Sequence, residues 1–368
     1  MDTQGEPFHF STPDSILRAL HQLDQQLAGR IDLPDTIVAG AGRDRYITSS
    51  LMEEAITSSQ LEGAVTSRRV AKDLLRTGRP PRDKSERMIA NNFAAMQRVR
   101  AIQRTAMTPR LVCELHRLVT LGTLDDPASA GRLEVPGEPR VKIWGDEDQV
   151  LHTPPPAEEL PGRLQAFCDF ANNVDDRAFV HPVLRAVILH FWMGYDHYFA
   201  DGNGRTARAV FYWSLLHEGY WLAEYLTISS ILRRAPVAYA QAFLLTETDD
   251  NDLTYFLVEQ LDVIGRAVQS LHDYLRRKAA EIRNVETLLR DGNALNHRQR
   301  ALLGRALRDA DSVFTIAGHR SDQGVVYETA RSDLLDLADR GFLLRGRRGN
   351  AFVFTVPDDL NARLSQPY

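Results

Sequence analysis

His197-Tyr-Phe-Ala-Asp-Gly-Asn-Gly-Arg-Thr-Ala-Arg208 is the stretch from which the rest of this 368-residue chain is read. It lies between two apolar runs of helical periodicity. Within a dozen residues it gathers a titratable base, a carboxylate, two glycines around an asparagine, and two arginines. Gly202, Asn203 and Gly204 let successive backbone N–H groups converge into an anion-binding concavity, and the helix that begins there adds its positive dipole end. Arg205 and Arg208, three apart on that helix, share a face and reach toward phosphates. Asp201 is a hard oxygen ligand suited to magnesium shared with those phosphates, and His197 takes a proton near neutrality. A lone histidine is ordinarily a packed or surface residue, and an isolated Asp-Gly or Asn-Gly is ordinarily a turn. Joint occurrence in one register overturns both readings, because a plain turn needs neither a base before it nor two arginines after it.

Outward from this loop, apolar residues recur at helical spacing through most of residues 12–280, with proline-rich breaks at 78–81 and 153–156. The spacing predicts helices over 47–62, 83–104, 108–121, 157–173, 181–195, 204–218, 236–245 and from 253 to about 289. The exception is Arg140-Val-Lys-Ile-Trp-Gly-Asp-Glu-Asp-Gln-Val-Leu-His152, where two β-prone runs flank an acidic, glycine-containing turn and predict a small hairpin. The fold class is therefore mainly α, a helical core with one hairpin.

A charged helix over 266–292 reads as a linker to a C-terminal domain at 293–368. There the order is helix (298–308), turn, helix, a third helix capped by Thr329 and ended by Gly341, then a basic, glycine-punctuated stretch and an alternating Phe-Val-Phe run. This order resembles a winged helix-turn-helix, and Arg331, Arg345, Arg347 and Arg348 would line a phosphate-facing surface. Ten arginines against seven acids over 296–348 is a bias that a solvated surface also produces, so DNA contact and protein docking both stay open.

Composition excludes little else. A formal charge of −5 and a pI near 6.1 give no global pull toward nucleic acid or anionic membrane. Cys113 and Cys168 sit in apolar helical contexts and read as buried free thiols. No run of 18 apolar residues and no basic-then-apolar N-terminus appear, so the expectation is a cytoplasmic protein.

The central run resembles the signature of the Fic proteins, His-Pro-Phe-x-(Asp/Glu)-Gly-Asn-Gly-Arg-x-x-Arg, and departs from it only at Tyr198, where the family usually has proline. The resemblance implies a helical Fic core over 91–265 and transfer of AMP from ATP to a hydroxyl side chain of a target protein, self-modification included. It implies His197 as general base, Phe199 as the anchor seating the loop, and Asp201 as the Mg2+ ligand. It further implies Gly202, Asn203 and Gly204 as the phosphate cradle and Arg205 and Arg208 as phosphate clamps. The hairpin, with Val150, Leu151 and His152, corresponds to the family's flap, which holds a target segment by strand addition. Tyr239 falls where relatives place a tyrosine near adenine, with an ordinary core aromatic as the equal alternative.

Upstream, Glu54-Ala-Ile-Thr-Ser-Ser-Gln-Leu-Glu-Gly63 ends a helix on a glutamate, which sits against the negative end of the dipole and wants a cation. The family's inhibitory helix has the pattern Ser/Thr-x-x-x-Glu-(Gly/Asn), and Ser58, Glu62 and Gly63 fill it inside an N-terminal region at 1–90. The resemblance implies that Glu62 pairs with Arg208 and misaligns ATP. Rival readings are a DNA-binding regulator with an ATP-sensing or idle core, transfer of UMP or phosphocholine, and removal of AMP. A homodimer stays open.

Overall fold

A computed structural model of the protein describes residues 1–28, 40–144, 150–175, 178–291, 295–308, 312–348, 351–357 and 359–364. They belong to two compact units, Met1–Asp273 and Tyr274–Tyr368.

The first unit is helical. Its elements are α1 (Asp14–Leu27), α2 (Gly40–Leu61), α3 (Arg68–Thr77), α4 (Lys84–Ala101), α5 (Pro109–Thr120), the strands β1 (Ile143–Trp144) and β2 (Val150–His152), α6 (Leu160–Ala171), α7 (Pro182–Asp196), α8 (Asn203–His217), α9 (Ile228–Leu232), α10 (Pro236–Thr248) and, as far as Asp273, α11 (Thr254–Asp291). Boundaries follow the local chemistry. Asp83 accepts the Glu86 N–H at 2.8 Å and starts α4, while Thr108 accepts from Leu111 at 3.2 Å with Pro109 in the first turn of α5. Gly63, at φ +90°, stands just beyond the end of α2.

The antiparallel pair α7 and α8 forms the centre. Leu184, Val187, Leu189, Phe191 and Met193 from α7 and Val210, Phe211, Trp213 and Leu215 from α8 are all buried. A helix apolar on every side, as α7 is, belongs inside a domain and takes its stability from surrounding layers. Helices α4, α5 and α2 pack around this pair, and α2 packs on α4 and α9. The carboxylate of Glu54 on α2 is 1% exposed; it accepts the Ser229 N–H of α9 at 3.2 Å and bonds the Ser229 hydroxyl. Burial pushes this carboxyl above its ordinary range, against the Ser229 bonds and Arg208. The interior of α2 is thereby latched to the core.

The expected hairpin forms: β1 and β2 pair antiparallel, with Ile143 opposite His152, while the turn at 145–149 lies outside the described residues. Cys168 is buried and Cys113 half-buried, both free thiols. Three helices of this unit are missing from the predicted set, α1, α3 and the five-residue α9. Helix α3 carries a strongly polar sequence with only Ala71 and Leu74 buried, too narrow a stripe to stand out.

The second unit, described by itself, holds α12 (His297–Arg308), β3 (Val313–Thr315), α13 (Ile316–Gln323), α14 (Tyr327–Asp339), β4 (Leu344–Arg348), β5 (Ala351–Thr355) and α15 (Leu360–Leu364). The strands form one antiparallel sheet in the order β3-β5-β4. Leu303, Phe314, Leu334, Leu337, Phe342 and Phe354 fill its core. Thr329 does not cap α14: the helix starts one half-turn earlier, at Tyr327, with Val326 at the cap position and no side-chain cap bond. Gly341, at φ +75°, follows the helix end as expected.

Among the described residues no helix is long and apolar enough to cross a membrane.

Candidate active site

His197 stands where α7 ends. Its backbone is left-handed (φ 48°, ψ 56°), a conformation that costs a non-glycine residue about 1 kcal/mol or more and turns the chain sharply out of the helix. Nδ1 lies 3.2 Å from the carbonyl of Gly194, an acceptor only, so this nitrogen carries the proton and Nε2 keeps its lone pair. Burial first, and then the charges of His152 and Arg140, hold the ring below the ordinary imidazole range; the Gly194 carbonyl and Glu62 pull the other way. The imidazole is neutral near pH 7, the form that accepts a proton.

The loop that follows is closed by its own groups. The Asn203 side chain accepts the Phe199 N–H at 3.1 Å and donates back to the Phe199 carbonyl at 2.6 Å. Its amide therefore closes the loop, and only its backbone is available to a cradle. Phe199, fully buried, stacks on His116 with ring centroids 3.7 Å apart and planes 4° from parallel. The same His116 ring accepts from the Gly131 N–H at 2.9 Å and donates from Nε2 to the Asp201 carbonyl at 2.7 Å. Burial lowers its pKa to about 4. Gly202 needs its φ of +85°, and a Cβ there would collide with the Thr120 methyl group. Tyr198 in the usual proline position is also buried; its hydroxyl donates to Asp196 Oδ2 at 2.7 Å, a carboxylate that also takes Trp192 Nε1 and Arg163. The departure from proline thus replaces a stiff ring with an anchored aromatic at the same turn.

The charged groups divide unequally. Asp201 is about half exposed, with Oδ1 bonded to the Gly202 N–H and near Arg205 Nη2 at 3.4 Å. Arg205 is 1% exposed and donates from Nη1 to the Val119 carbonyl at the end of α5, so it braces the loop against a neighbouring helix. Arg208 points the other way. Its Nε donates to Ser58 Oγ at 2.8 Å, and its Nη2 to the Ser58 carbonyl at 3.2 Å and to Glu62 Oε1 at 2.8 Å. The expected common face of the two arginines is therefore not what the structure holds, because each guanidinium serves a different helix. Glu62 Oε1 also lies over Gly204, where any Cβ would collide with it. An anionic oxygen thus already sits at the N-terminus of α8, standing where a phosphate oxygen would.

Tyr239 bonds through its hydroxyl to His190 Nε2 at 2.9 Å, has Arg208 beside it, and packs edge-on to Phe243. It is half-buried, at the rim of the arginine's site. Of the hairpin residues, Val150 is exposed, Leu151 half-buried and His152 buried. Among the described residues no group of three or more His, Cys, Asp or Glu side chains could hold a metal ion. Asp201 could still supply the single carboxylate that a phosphate-bound magnesium takes.

Four residues that shape the site escape the motif reading: His116, Glu54, His190 and the capping role of Arg140. Their common signal is a polar side chain within or beside an apolar run, which must find partners once buried.

Residues 106–215 match the family model described as Fic/DOC family. Over 119 residues the chain is 33% identical to the "Protein adenylyltransferase Fic" of Drosophila willistoni, covering 32% of this chain and 22% of that protein. Over 69 residues it is 38% identical to the protein of the same name from Nematostella vectensis, covering 19% of this chain and 16% of the relative. The chain thus spans about a fifth of the length of these curated relatives. Among solved structures, a Fic family protein from Desulfovibrio desulfuricans aligns over 95% of this chain and 98% of its own with a TM-score of 0.62 and 17% identity. Fic-1 from C. elegans aligns over 71% and 72% with a TM-score of 0.53 and 17% identity. The fold is that of these proteins.

His190, buried with Nδ1 lacking a hydrogen-bond partner among the described residues, has its pKa lowered to about 3 by burial and by Arg208. The unfolded chain takes up a proton below about 6.5 that the folded chain refuses, so this group's contribution falls as pH falls through that window. Urea titrations of wild type and His190→Gln should show the stability difference shrinking by about 1.4 kcal/mol per pH unit between roughly pH 6 and 4.

Proposed function

We propose that the protein transfers AMP from ATP to a hydroxyl side chain of a target protein, and that Glu62 restrains the reaction through Arg208. One observation carries the reading. A neutral imidazole, a half-exposed carboxylate and a buried guanidinium converge on a helix N-terminus that already accepts an anionic oxygen, supplied by Glu62 from an upstream helix. The names of the relatives support the nucleotide donor, and the match over residues 106–215 includes every residue from His197 to Arg208.

In this mechanism the backbone N–H groups of 202–204 and the dipole of α8 hold the phosphate chain. The target hydroxyl approaches the α-phosphorus as His197 Nε2 removes its proton. The new oxygen–phosphorus bond forms while the bond to the β-phosphate oxygen breaks, and pyrophosphate departs. Arg208, once released from Glu62, would carry charge that grows on the leaving group, the term that dominates phosphoryl-type transfer. Asp201 would hold magnesium, which screens the charge of the phosphates. The hairpin would receive the target segment by backbone pairing, so many sequences could be presented.

The second unit is read as a winged helix, on its α12, α13, α14 order and its three-stranded sheet. Arg345 and Arg347 lay their guanidinium groups over Phe352 at 5.6 and 5.1 Å on β4 and β5, an exposed basic strand that suits a phosphate backbone.

His197→Ala should lower nucleotide transfer by about 10²- to 10⁴-fold, with ATP affinity retained, measured with labelled ATP and by calorimetry. Transfer at the wild-type rate would remove the base from the mechanism. Glu62→Gly should raise self-modification about tenfold or more, the factor that 1.4 kcal/mol represents, read by mass spectrometry, which also reports the acceptor. If duplex DNA is the second unit's partner, Arg347→Ala should reduce the slope of log affinity against log salt by about one unit, and a flat salt response would exclude that partner.

A further inference from the structure

The segment carrying the hairpin is fastened at both ends to the turn that presents His197. Ahead of β1, Arg140 donates from Nη2 to the carbonyls of Asp196 at 2.7 Å and His197 at 3.0 Å, and from Nε to Pro155 at 2.8 Å. At the end of β2, His152 donates from Nε2 to the Tyr195 carbonyl at 2.7 Å. Three consecutive carbonyls, 195 to 197, are thus held by two side chains of one hairpin segment. They belong to the last turn of a helix, where carbonyls lack N–H partners of their own.

Both clasping side chains are built in. Arg140 is 12% exposed and paired with Glu134; His152 is 6% exposed and lies 2.7 Å from Glu247 Oε2 on α10. Tyr195 O and the Glu247 carboxylate are both acceptors, so both ring nitrogens of His152 are engaged. A cap for a helix end needs less than this. Two separate donors, each with its own carboxylate partner, come from opposite ends of the same hairpin.

We infer that Arg140 and His152 are positioning residues for His197, tying the hairpin that receives the target segment to the base that deprotonates it. The inference rests on the transferase reading of the site. A general base must sit within about 2.6–3.2 Å of the hydroxyl it serves, and a misplacement of about 1 Å costs on the order of a hundredfold in rate. The hydroxyl arrives on the hairpin and the imidazole stands on α7, so their separation is only as constant as the link between those elements. Arg140 and His152 are that link. Their charges also face the imidazole, together with Glu62 from α2, and the Gly194 carbonyl holds the ring's far nitrogen.

The test uses the full chain carrying Glu62→Gly, with Arg140→Lys or His152→Gln added singly. The readouts are steady-state self-modification against ATP concentration, ATP affinity by calorimetry, thermal melting, and nitrogen-15 imidazole titration of His197. In both variants kcat should fall on the order of a hundredfold, while KM for ATP stays within about threefold. In His152→Gln the His197 titration midpoint should also move up, because a ring that helps hold the imidazole low has gone. Unchanged kcat and an unmoved midpoint would overturn the inference, as would parallel loss of rate, ATP affinity and melting temperature, which marks support of the fold alone. If the Glu62→Gly parent transfers no nucleotide, the transferase reading fails by itself, and the imidazole titration, which needs no turnover, still decides whether these two side chains govern His197.

Discussion

The structure around the loop depends on how one buried cation is kept satisfied. Arg208 sits at 1% exposure in the middle of α8, and an uncompensated guanidinium there would cost several kcal/mol. Ser58 and Glu62 meet it from α2, with Tyr239 alongside. Breaking such a pair by removing one partner is costly because the other charge remains buried. Any anion that takes the place of Glu62 therefore has to be strongly charged and well fitted, and a polyphosphate is both.

The rest of the loop is stiff for reasons unrelated to that cation. The Asn203 amide locks onto the Phe199 peptide, Phe199 stacks on His116, and His116 in turn holds the Asp201 carbonyl. Backbone N–H groups that must aim at a ligand without reorganising need this support, since preorganised dipoles are what make such a site effective. The αL backbone of His197 is part of the same arrangement, its strain held by capping bonds from Arg140 and His152.

What the sequence makes legible is the part whose function demands adjacency. From His197 to Arg208 the residues are close in the chain because the loop-to-helix turn they form is itself local. The long helices are readable because periodic burial recurs over many turns, as in α7 and α8. The short α9 and the polar α3 are not, since five residues or a two-residue stripe carry too little pattern. The directions of Arg205 and Arg208 are likewise unreadable: spacing puts both on α8, but only tertiary packing sends one to Val119 and the other to Ser58. His116, Arg140 and Glu54 act over separations of 85, 56 and 175 residues, and no local rule links positions so distant.

The latch between Glu54 and Ser229 has a consequence for how Glu62 is held. It pins α2 two turns before its end, while Glu62 lies one residue past the helix and is followed by a glycine at φ +90°. The anchored part and the carboxylate that meets Arg208 are thus mechanically separate. The Glu62 side chain can therefore leave Arg208 by its own rotation, or by a change at Gly63, without undocking α2.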